Sequence, residues 1–593
     1  MSTERHSLVV LKPIIRSPTH NVIRIEREQD LNTDEILHIA GGDHAGVIVN
    51  KFTGTYNPLE EYDLLINFSV WLTIPGEKSD EKRQEIRYIK FVFNDGIEKE
   101  LQHEYAEKIF KDIIISFPRD YLTFIKRMLR TMENNYEEIK MIEIDMKFAD
   151  EDEAIEMPND YDSEPSYIEV TSGHVQELLE HAFPNSLKVC DMANALKCTE
   201  EEINNFLMEL TQKSIVEKVE NADNEWIRVE KRHIDQTIAF KKQGENFDGK
   251  EQPTIAIITS LYSEKKAIDT VIENRHTFHK YRASGESNVY TTGNIGPHRV
   301  VATKLPGIGD GNFNAYISAS GGTTRLLGNY QNVNHVIILG AAGAVLNFSN
   351  VFDSNVNSVK LGDVVVSNSR TFSDKESPSY VYANKYTTDR NTDEYNGYIS
   401  SLWHPSDTIL AQIASQTNDA SLMNDWETFT QEIIDTLNES SEDNCFSKPN
   451  EADVLKVPVG GGNFVAIPHQ NPQRTTSKVH VGPIGGMRPI IENDNDCSKN
   501  MANDSINTEY IKTIYYNLKE KFAKEHQLKA IDAGAESVIS AIQGSCIGSW
   551  SLVRGITDYQ NGMSRSGRVW QPYAAARAAG LVKAILERLP PSH

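Results

Sequence analysis

Residues 336–345 read VIILGAAGAV. An unbroken apolar run this short, ending in glycines, is the pattern of a strand buried on both faces, as strands of a parallel sheet are. Comparable runs recur at Thr254–Thr259, Val300–Leu305, Asp363–Ser367 and Ser551–Ile556, with helical segments between them. Strands alternating with helices imply an α/β domain, here spanning 253–590, with a mixed, mostly parallel central sheet covered by helices. Several of the runs end in Gly-rich or charged turns. In open α/β sheets ligands gather at the carboxyl ends of strands, so chemistry is expected there. The polar region Phe372–Lys456, containing TTDRNTDEYN and NESSEDN, reads as insertions and surface loops.

Upstream, residues 1–148 read as an α+β domain. Strands are expected at Ser7–Ile15, Val22–Ile25, Val47–Val49, Leu64–Ile74 and Ile86–Phe93, and helical spacing runs through Glu98–Met132. No chemical motif occurs in this stretch. Phe148–Ser166, acidic with two prolines, has the composition of a solvated linker. Residues 167–231 then show three apolar helical faces followed by a hairpin, a winged-helix-like module whose third helix opens with Thr199 and Glu202 as a capping box. That helix, TEEEINNFLMELTQK, is acid-rich at the end that would enter a DNA groove, which favours a protein-interaction or spacer role. Arg232–Pro253 reads as a second linker.

The chain has 593 residues, with Lys+Arg 60 against Asp+Glu 85, a formal net charge of -25. At roughly 150 residues per domain this is room for about four domains. The acidic balance argues against wrapping by nucleic acid or binding to an anionic membrane, which need a basic face. No apolar run approaches the roughly 18 residues of a membrane span. The opening MSTERHSLVVLKP lacks the apolar core of a signal peptide, so a cytoplasmic protein is expected. The cysteines (Cys190, Cys198, Cys445, Cys497, Cys546) are scattered and odd in number, indicating neither a disulfide framework nor a zinc site. No metal or cofactor is expected.

Four separated regions resemble, in order, the nucleoside phosphorylase-I superfamily, which cleaves or exchanges the N-glycosidic bond of nucleosides. Ile258–Ala267 (ITSLYSEKKA) is similar to the first-strand turn of the nucleosidases acting on methylthioadenosine and S-adenosylhomocysteine. Leu305–Asp310 (LPGIGD) and Val336–Val345 resemble that group's SGIG and TGSAGG turns, and Val359–Ser367 (VKLGDVVVS) resembles its LGDVVVS strand. Within Ala535–Ala579, AES, SLVRGITDYQ and VWQPYAAARAA resemble the ME(S/A), VRGISD(Y/F) and WQ-x-YAA-x-AAA segments. The resemblance spans residues 254–590 and implies a nucleoside phosphorylase-like fold.

Breaking a purine ribosyl bond leaves negative charge on the base and an oxocarbenium-like cation on the sugar. Such an enzyme needs an acid at the base, an anion near the sugar and a positioned nucleophile. The resemblance implies that Asp558 protonates purine N7, for which its pKa has to rise from about 3.9. It implies that Glu536 holds the ribose hydroxyls, with Asp532 a competing position for that role, and that Glu264 orients the attacking water. Each has a plainer reading: a strand-end Asp capping a turn, a helix N-terminal acid, and a solvated first-turn acid beside Lys265 and Lys266. Phosphorylases of this superfamily hold phosphate through an Arg and a Ser or Thr where this chain has Ile338 and Ala341, which favours water as nucleophile. Gly309, Gly340 and Gly343 are expected to bind substrate, the latter two through backbone amides. Arg554 is expected to pair with a neighbouring acid, and Trp570 to pack the final helix. Candidate cations for a phosphorylated 5′ end are Lys265, Lys266, Arg275, His480, Arg488, Arg565 and Arg568.

A catalytic domain of this type behind N-terminal modules resembles the ATP nucleosidases of immune-type effectors, which split ATP into adenine and ribose 5′-triphosphate. The expectation is therefore an N-ribosyl hydrolase acting on a purine nucleotide or nucleoside, working as a homo-oligomer. A regulatory protein partner is expected to act through residues 1–250. The alternatives are a phosphate-dependent purine nucleoside phosphorylase, and a non-catalytic nucleotide-binding scaffold.

Overall fold

The computed structural model describes residues 8–28, 33–40, 47–52, 59–73, 82–115, 121–134, 136–150, 175, 178–179, 182, 186–196, 199–212, 215–219, 224–228, 252–282, 286–305, 313–345, 359–372, 375–388, 395–439, 445–450, 453–458, 464–468, 474, 476–488, 515, 517–562 and 566–591. The chain divides into two compact units. One comprises Met1–Ser166 with Leu346–Ser358 and Glu451–Thr475, the other Tyr167–Val345, Val359–Asn450 and Thr476–His593.

The first unit is built on β1 (Leu8–Arg16), β2 (His20–Glu28), β3 (Ile36–Ile39), β4 (Ile48–Asn50), β5 (Leu64–Thr73), β6 (Lys82–Phe93) and β7 (Ile139–Phe148). In β5, Leu64, Ile66, Phe68 and Val70 are buried at every second position, the period that turns one strand face inward. Helices α1 (Lys99–Ile115) and α2 (Tyr121–Asn134) divide the expected Glu98–Met132 helix in two. They cover the sheet through the Phe68–Phe110 ring contact, centroids 5.5 Å apart, and through Arg87 over the Phe124 ring at 4.5 Å. The sequence reading omitted β7, a central strand whose Ile142, Ile144 and Met146 are buried between charged neighbours.

The second unit begins with the winged-helix module. Here β8 (Leu187–Lys188), α3 (Val189–Leu196), α4 (Glu200–Gln212), β9 (Val216–Lys218) and β10 (Glu225–Arg228) enclose a small core of Met192, Ile203, Leu207 and Leu210. The capping box forms as its spacing requires: Thr199 N donates to Glu202 Oε2 at 2.9 Å, and Glu202 N to Thr199 Oγ1 at 3.3 Å.

After it comes the α/β domain: β11 (Ile255–Thr259), α5 (Tyr262–Val271), β12 (Glu273–Arg282), β13 (Glu286–Ile295), β14 (His298–Lys304), α6 (Phe313–Asn329) and β15 (His335–Ala344). Then follow β16 (Val364–Ser367), the small pair β17 (Arg370–Phe372) and β18 (Lys375–Ser377), β19 (Tyr380–Thr388), β20 (Tyr395–Trp403), α7 (Ile409–Ala414) and α8 (Ala420–Glu439). The chain closes with β21 (Val454–Pro458), β22 (Phe464–Pro468), β23 (Val479–Gly482), β24 (Ile484–Met487), β25 (Ala530–Asp532), α9 (Glu536–Gly544), β26 (Ser549–Asp558) and α10 (Gln571–Arg588).

The centre of the twelve-stranded sheet is the parallel set β14-β11-β15-β26, extended by antiparallel and parallel strands into a mixed α/β sheet. All five apolar runs of the sequence reading fall on its strands. α10 is buried along nearly its whole length against the sheet and α8, where Trp426 Nε1 donates to Arg577 O at 2.8 Å.

Two expectations are corrected. Phe372–Lys456 is not a set of surface loops: β19 pairs in parallel with β24 inside the main sheet, Tyr380 is fully buried, and α8 packs on α10. Its polar composition reflects elements with one wet face. The Gly-rich segment after Leu339 is not a turn either. It continues as strand to Ala344, paired with β26 from His335↔Ser549 to Gly343↔Asp558 and with β25 at Gly343↔Ile531. One further element was not legible: the hairpin β21–β22 belongs to the first unit, where β22 pairs with β5 (Val465↔Val70) and completes a nine-stranded sheet ordered β21-β22-β5-β6-β7-β2-β1-β4-β3. Among the described residues, no helix is long and apolar enough to cross a membrane.

Candidate active site

At the carboxyl end of β11 the chain turns directly into α5, and the turn is closed by Glu264. Its Oε2 accepts from Ser260 N and Leu261 N, each at 2.9 Å, and from Ser260 Oγ at 3.2 Å. Its Oε1 accepts from Ala341 N, at 2.8 Å, on the neighbouring strand β15. Glu264 is only 1% exposed, so it is not a solvated first-turn acid. Four donors hold the carboxylate in one orientation at the ends of two adjacent parallel strands. Lys304, at the end of β14 opposite Thr259, is buried nearby; burial pushes its ammonium down to about 8 while the charge of Glu264 opposes the shift.

Across β15 lies a buried ion pair. Arg554 on β26 donates to Asp532 Oδ2 through Nε at 3.0 Å and Nη2 at 2.7 Å, and both residues are less than 5% exposed. Asp532 Oδ1 accepts from Tyr380 Oη at 2.9 Å and from Gly534 N at 3.0 Å, and Tyr380 Oη in turn accepts from Ala535 N at 2.7 Å. This network makes Gly340 necessary, because a side chain there would drive into Arg554 Nη1, with Glu264 Oε1 3.6 Å from the same point. Gly340 thus acts by letting the arginine lie against the strand.

The network reaches the backbone just before Glu536, the first residue of α9, through the amides of Gly534 and Ala535. Glu536 Oε2 is buried and has no hydrogen-bond partner among the described residues, a state that buried polar atoms seldom keep without a ligand. Burial pushes Glu536 up from 4.5 to about 7; Asp532 adds to the rise and its own backbone amide opposes it. Since the folded-state pKa is the higher one, the stabilisation associated with the protonated form is complete below about 4.5 and is lost as pH rises through about 7. In Glu536→Gln we expect stability to lose this dependence between those values, measured by urea unfolding from pH 4 to 8.

Asp558 ends β26. Its Oδ1 accepts from Gln560 N at 2.8 Å and Gly562 N at 2.9 Å, so it does cap a turn, as its plainer reading holds. A Cβ at Gly343 would stand 2.6 Å from that oxygen, so the second glycine also makes room for a site carboxylate. Lys519 Nζ donates to Gln560 O at 2.5 Å; burial pushes this ammonium down to about 8, with Asp558 opposing.

The structure therefore brings Glu264, Gly340, Gly343, Arg554, Glu536 and Asp558 to adjoining strand ends, and adds Asp532, Tyr380, Lys304 and Lys519. Arg488, just beyond β24, lies two residues past Gly486, which is paired with Asp532, and its backbone amide donates to Ala383 O on β19 at 3.0 Å, which places it beside the same strand ends. Other expected ligands are committed elsewhere. Lys265 pairs with Asp269 and with Thr291 Oγ1 at 2.7 Å, because it points from α5 toward β13. His480 Nε2 lies 2.8 Å from Asp363 Oδ2 in a buried pair, and Arg275 Nη1 donates to Asp269 O at 3.3 Å. Arg568 is exposed on the short turn Ser566–Val569. Gly309 and Arg565 lie outside the described residues. Trp570 is buried against Tyr573 at the start of α10. No cluster of three or more His, Cys, Asp or Glu able to hold a metal occurs among the described residues.

A winged helix-turn-helix family model matches residues 161–230. No curated protein sequence matches the chain. Among solved structures, the chain is similar to the 5′-methylthioadenosine/S-adenosylhomocysteine nucleosidase of Neisseria meningitidis in complex with methylthio-immucillin-A, with 15% identity over 57% of this chain and 100% of that one, at a TM-score of 0.31. It is likewise similar to the nucleosidase of S. pneumoniae with a transition-state inhibitor, with 16% identity, 56% and 98% coverage and a TM-score of 0.30. For the enzyme of Colwellia psychrerythraea 34H in complex with adenine the values are 15%, 56% and 95%, and 0.30.

Proposed function

We propose that residues 253–590 hydrolyse the N-glycosidic bond of an adenine nucleotide, with ATP and water giving adenine and ribose 5′-triphosphate. The observation that carries this reading is the buried, unpartnered Oε2 of Glu536, set beside the Arg554–Asp532 pair with Glu264 and Asp558 at the neighbouring strand ends. A ribose hydroxyl is a donor suited to that oxygen. Its hydrogen bond favours the ionised carboxylate, and the anion then faces the cation that develops at C1′. Glu264 Oε1 receives one amide, from Ala341, and has lone-pair capacity left to orient a water and take its proton as the oxygen bonds to C1′. Asp558 delivers a proton to purine N7 as the C1′–N9 bond breaks, so that the base leaves neutral. Ala341 already spends its amide on Glu264 and has no hydroxyl, which leaves little at that place to hold a phosphate nucleophile.

The choice of ATP rests on the resemblance of the chain's architecture to ATP-cleaving effectors and on the cations Lys304 and Arg488 near the carboxylates. An unrestrained ATP-cleaving enzyme is toxic, so residues 1–250 are proposed to gate it through a partner or through homo-oligomeric assembly in a defence-type role. Incubation with ATP, ADP, AMP, adenosine and methylthioadenosine, followed by chromatography, is expected to show adenine released from ATP without a requirement for inorganic phosphate. Absence of free adenine from all five, with and without phosphate, sinks the reading; ribose 1-phosphate as the product turns it into phosphorolysis.

A further inference from the structure

The winged-helix module reaches the turn that carries Glu264. Arg228, the last residue of β10, lays its guanidinium over the ring of Tyr262, with Cζ 4.0 Å from the ring centroid. Tyr262 is the first residue of α5. It directly follows Ser260 and Leu261, whose amides bind Glu264 Oε2, and precedes Glu264 by two positions. Everything from Ser260 to Glu264 is one hydrogen-bonded turn, so displacement of the tyrosine is shared by the amides and the carboxylate they hold. A cation over an aromatic face is attracted by the ring quadrupole, most strongly when partly desolvated, and both partners here are half-buried. Meanwhile the face of α4 that would read a DNA groove exposes Glu200, Glu201 and Glu209.

We propose that Arg228 is a positioning residue for Glu264, acting through its stack on Tyr262, and that the winged-helix module serves this chain as an intramolecular clamp on the turn that holds Glu264. The kinetic part of this inference rests on the nucleosidase reading; the structural part does not.

The test uses the full chain with Arg228→Ala, Arg228→Gln, Arg228→Lys and Tyr262→Phe. Hydrogen exchange over residues 255–268 is expected to quicken at Ser260 and Leu261 in the Ala and Gln variants. It is expected to stay near wild type in Arg228→Lys, which keeps a cation, and in Tyr262→Phe, which keeps the ring. In the same two impaired variants kcat for adenine release is expected to fall about tenfold, equivalent to about 1.4 kcal/mol in the barrier, at unchanged KM. Wild-type exchange and kcat in both Arg228→Ala and Arg228→Gln overturn the proposal, as does equal impairment of all four variants in step with a lowered Tm, which marks a merely structural contact. Duplex DNA binding lost in Arg228→Ala without any change in exchange at Ser260 and Leu261 overturns it in favour of nucleic-acid reading. If the wild-type chain releases adenine from no nucleotide, the nucleosidase reading fails while the exchange comparison still decides the clamp.

Discussion

Replacing Asp558 by Asn is expected to slow adenine release by about 10²–10⁴-fold, the usual worth of a positioned general acid, while the fold and nucleotide affinity persist. The reason lies in the turn. Asp558 Oδ1 accepts the amides of Gln560 and Gly562, and an asparagine carbonyl oxygen can accept the same two bonds. What the amide cannot do is hand a proton to N7. A single-turnover measurement on saturating ATP, with affinity measured separately by calorimetry, separates the two effects. Turnover at the wild-type rate removes Asp558 from the proton-donor role. Loss of affinity together with rate reduces the residue to a turn cap. A scaffold that only binds nucleotide has no wild-type turnover to lose.

The second large effect is expected at Gly340, a residue with no functional group. An alanine Cβ there collides with Arg554 Nη1, and the guanidinium cannot swing away without leaving Asp532, to which it is joined by two hydrogen bonds in a buried site. Separating a buried pair leaves uncompensated charge and typically destabilises by about 3–5 kcal/mol. Gly340→Ala is expected to lose stability on that scale in urea unfolding, and adenine release with it, because Asp532 organises the start of α9. The control is a double-mutant cycle: in an Arg554→Met background the added methyl meets a movable apolar chain, so Gly340→Ala is expected to add little there. Additive losses would mean that the collision is not with the ion pair.

Much of the α/β domain was legible because buried parallel strands advertise themselves as continuous apolar runs: 255–259, 300–304, 336–339 and 551–556 are each strand. The carboxylates were legible because they sit where such runs end. What escaped was whatever depends on partners distant in the chain. Tyr380 lies in a stretch of polar and aromatic residues that looks like a loop until β24 pairs with it. That Arg554 pairs with an acid was expected and holds, but the identity of that acid, Asp532, 22 positions away, follows only from strand placement. The glycines at 340 and 343 looked like turn residues and are instead strand residues facing Arg554 and Asp558. Lys265 is a candidate cation for a phosphorylated 5′ end by its place after the first strand, but on a helix the residue next to Glu264 points about 100° away from it, and Lys265 serves Asp269 instead.

The hairpin β21–β22 also constrains the order in which the chain can be built. The first unit's sheet takes its two outermost strands from residues 454–468, about 300 residues after β7 has been made. At a synthesis rate of about 5–20 residues per second, the edge of β5, including Phe68, Val70 and Trp71, emerges roughly 20–80 s before its partner β22 exists. An unpaired apolar edge of that kind invites strand addition by other chains. The amino-terminal unit is thus completed only after most of the α/β domain has been synthesised, so a fragment cut at residue 250 ends before its own sheet is finished.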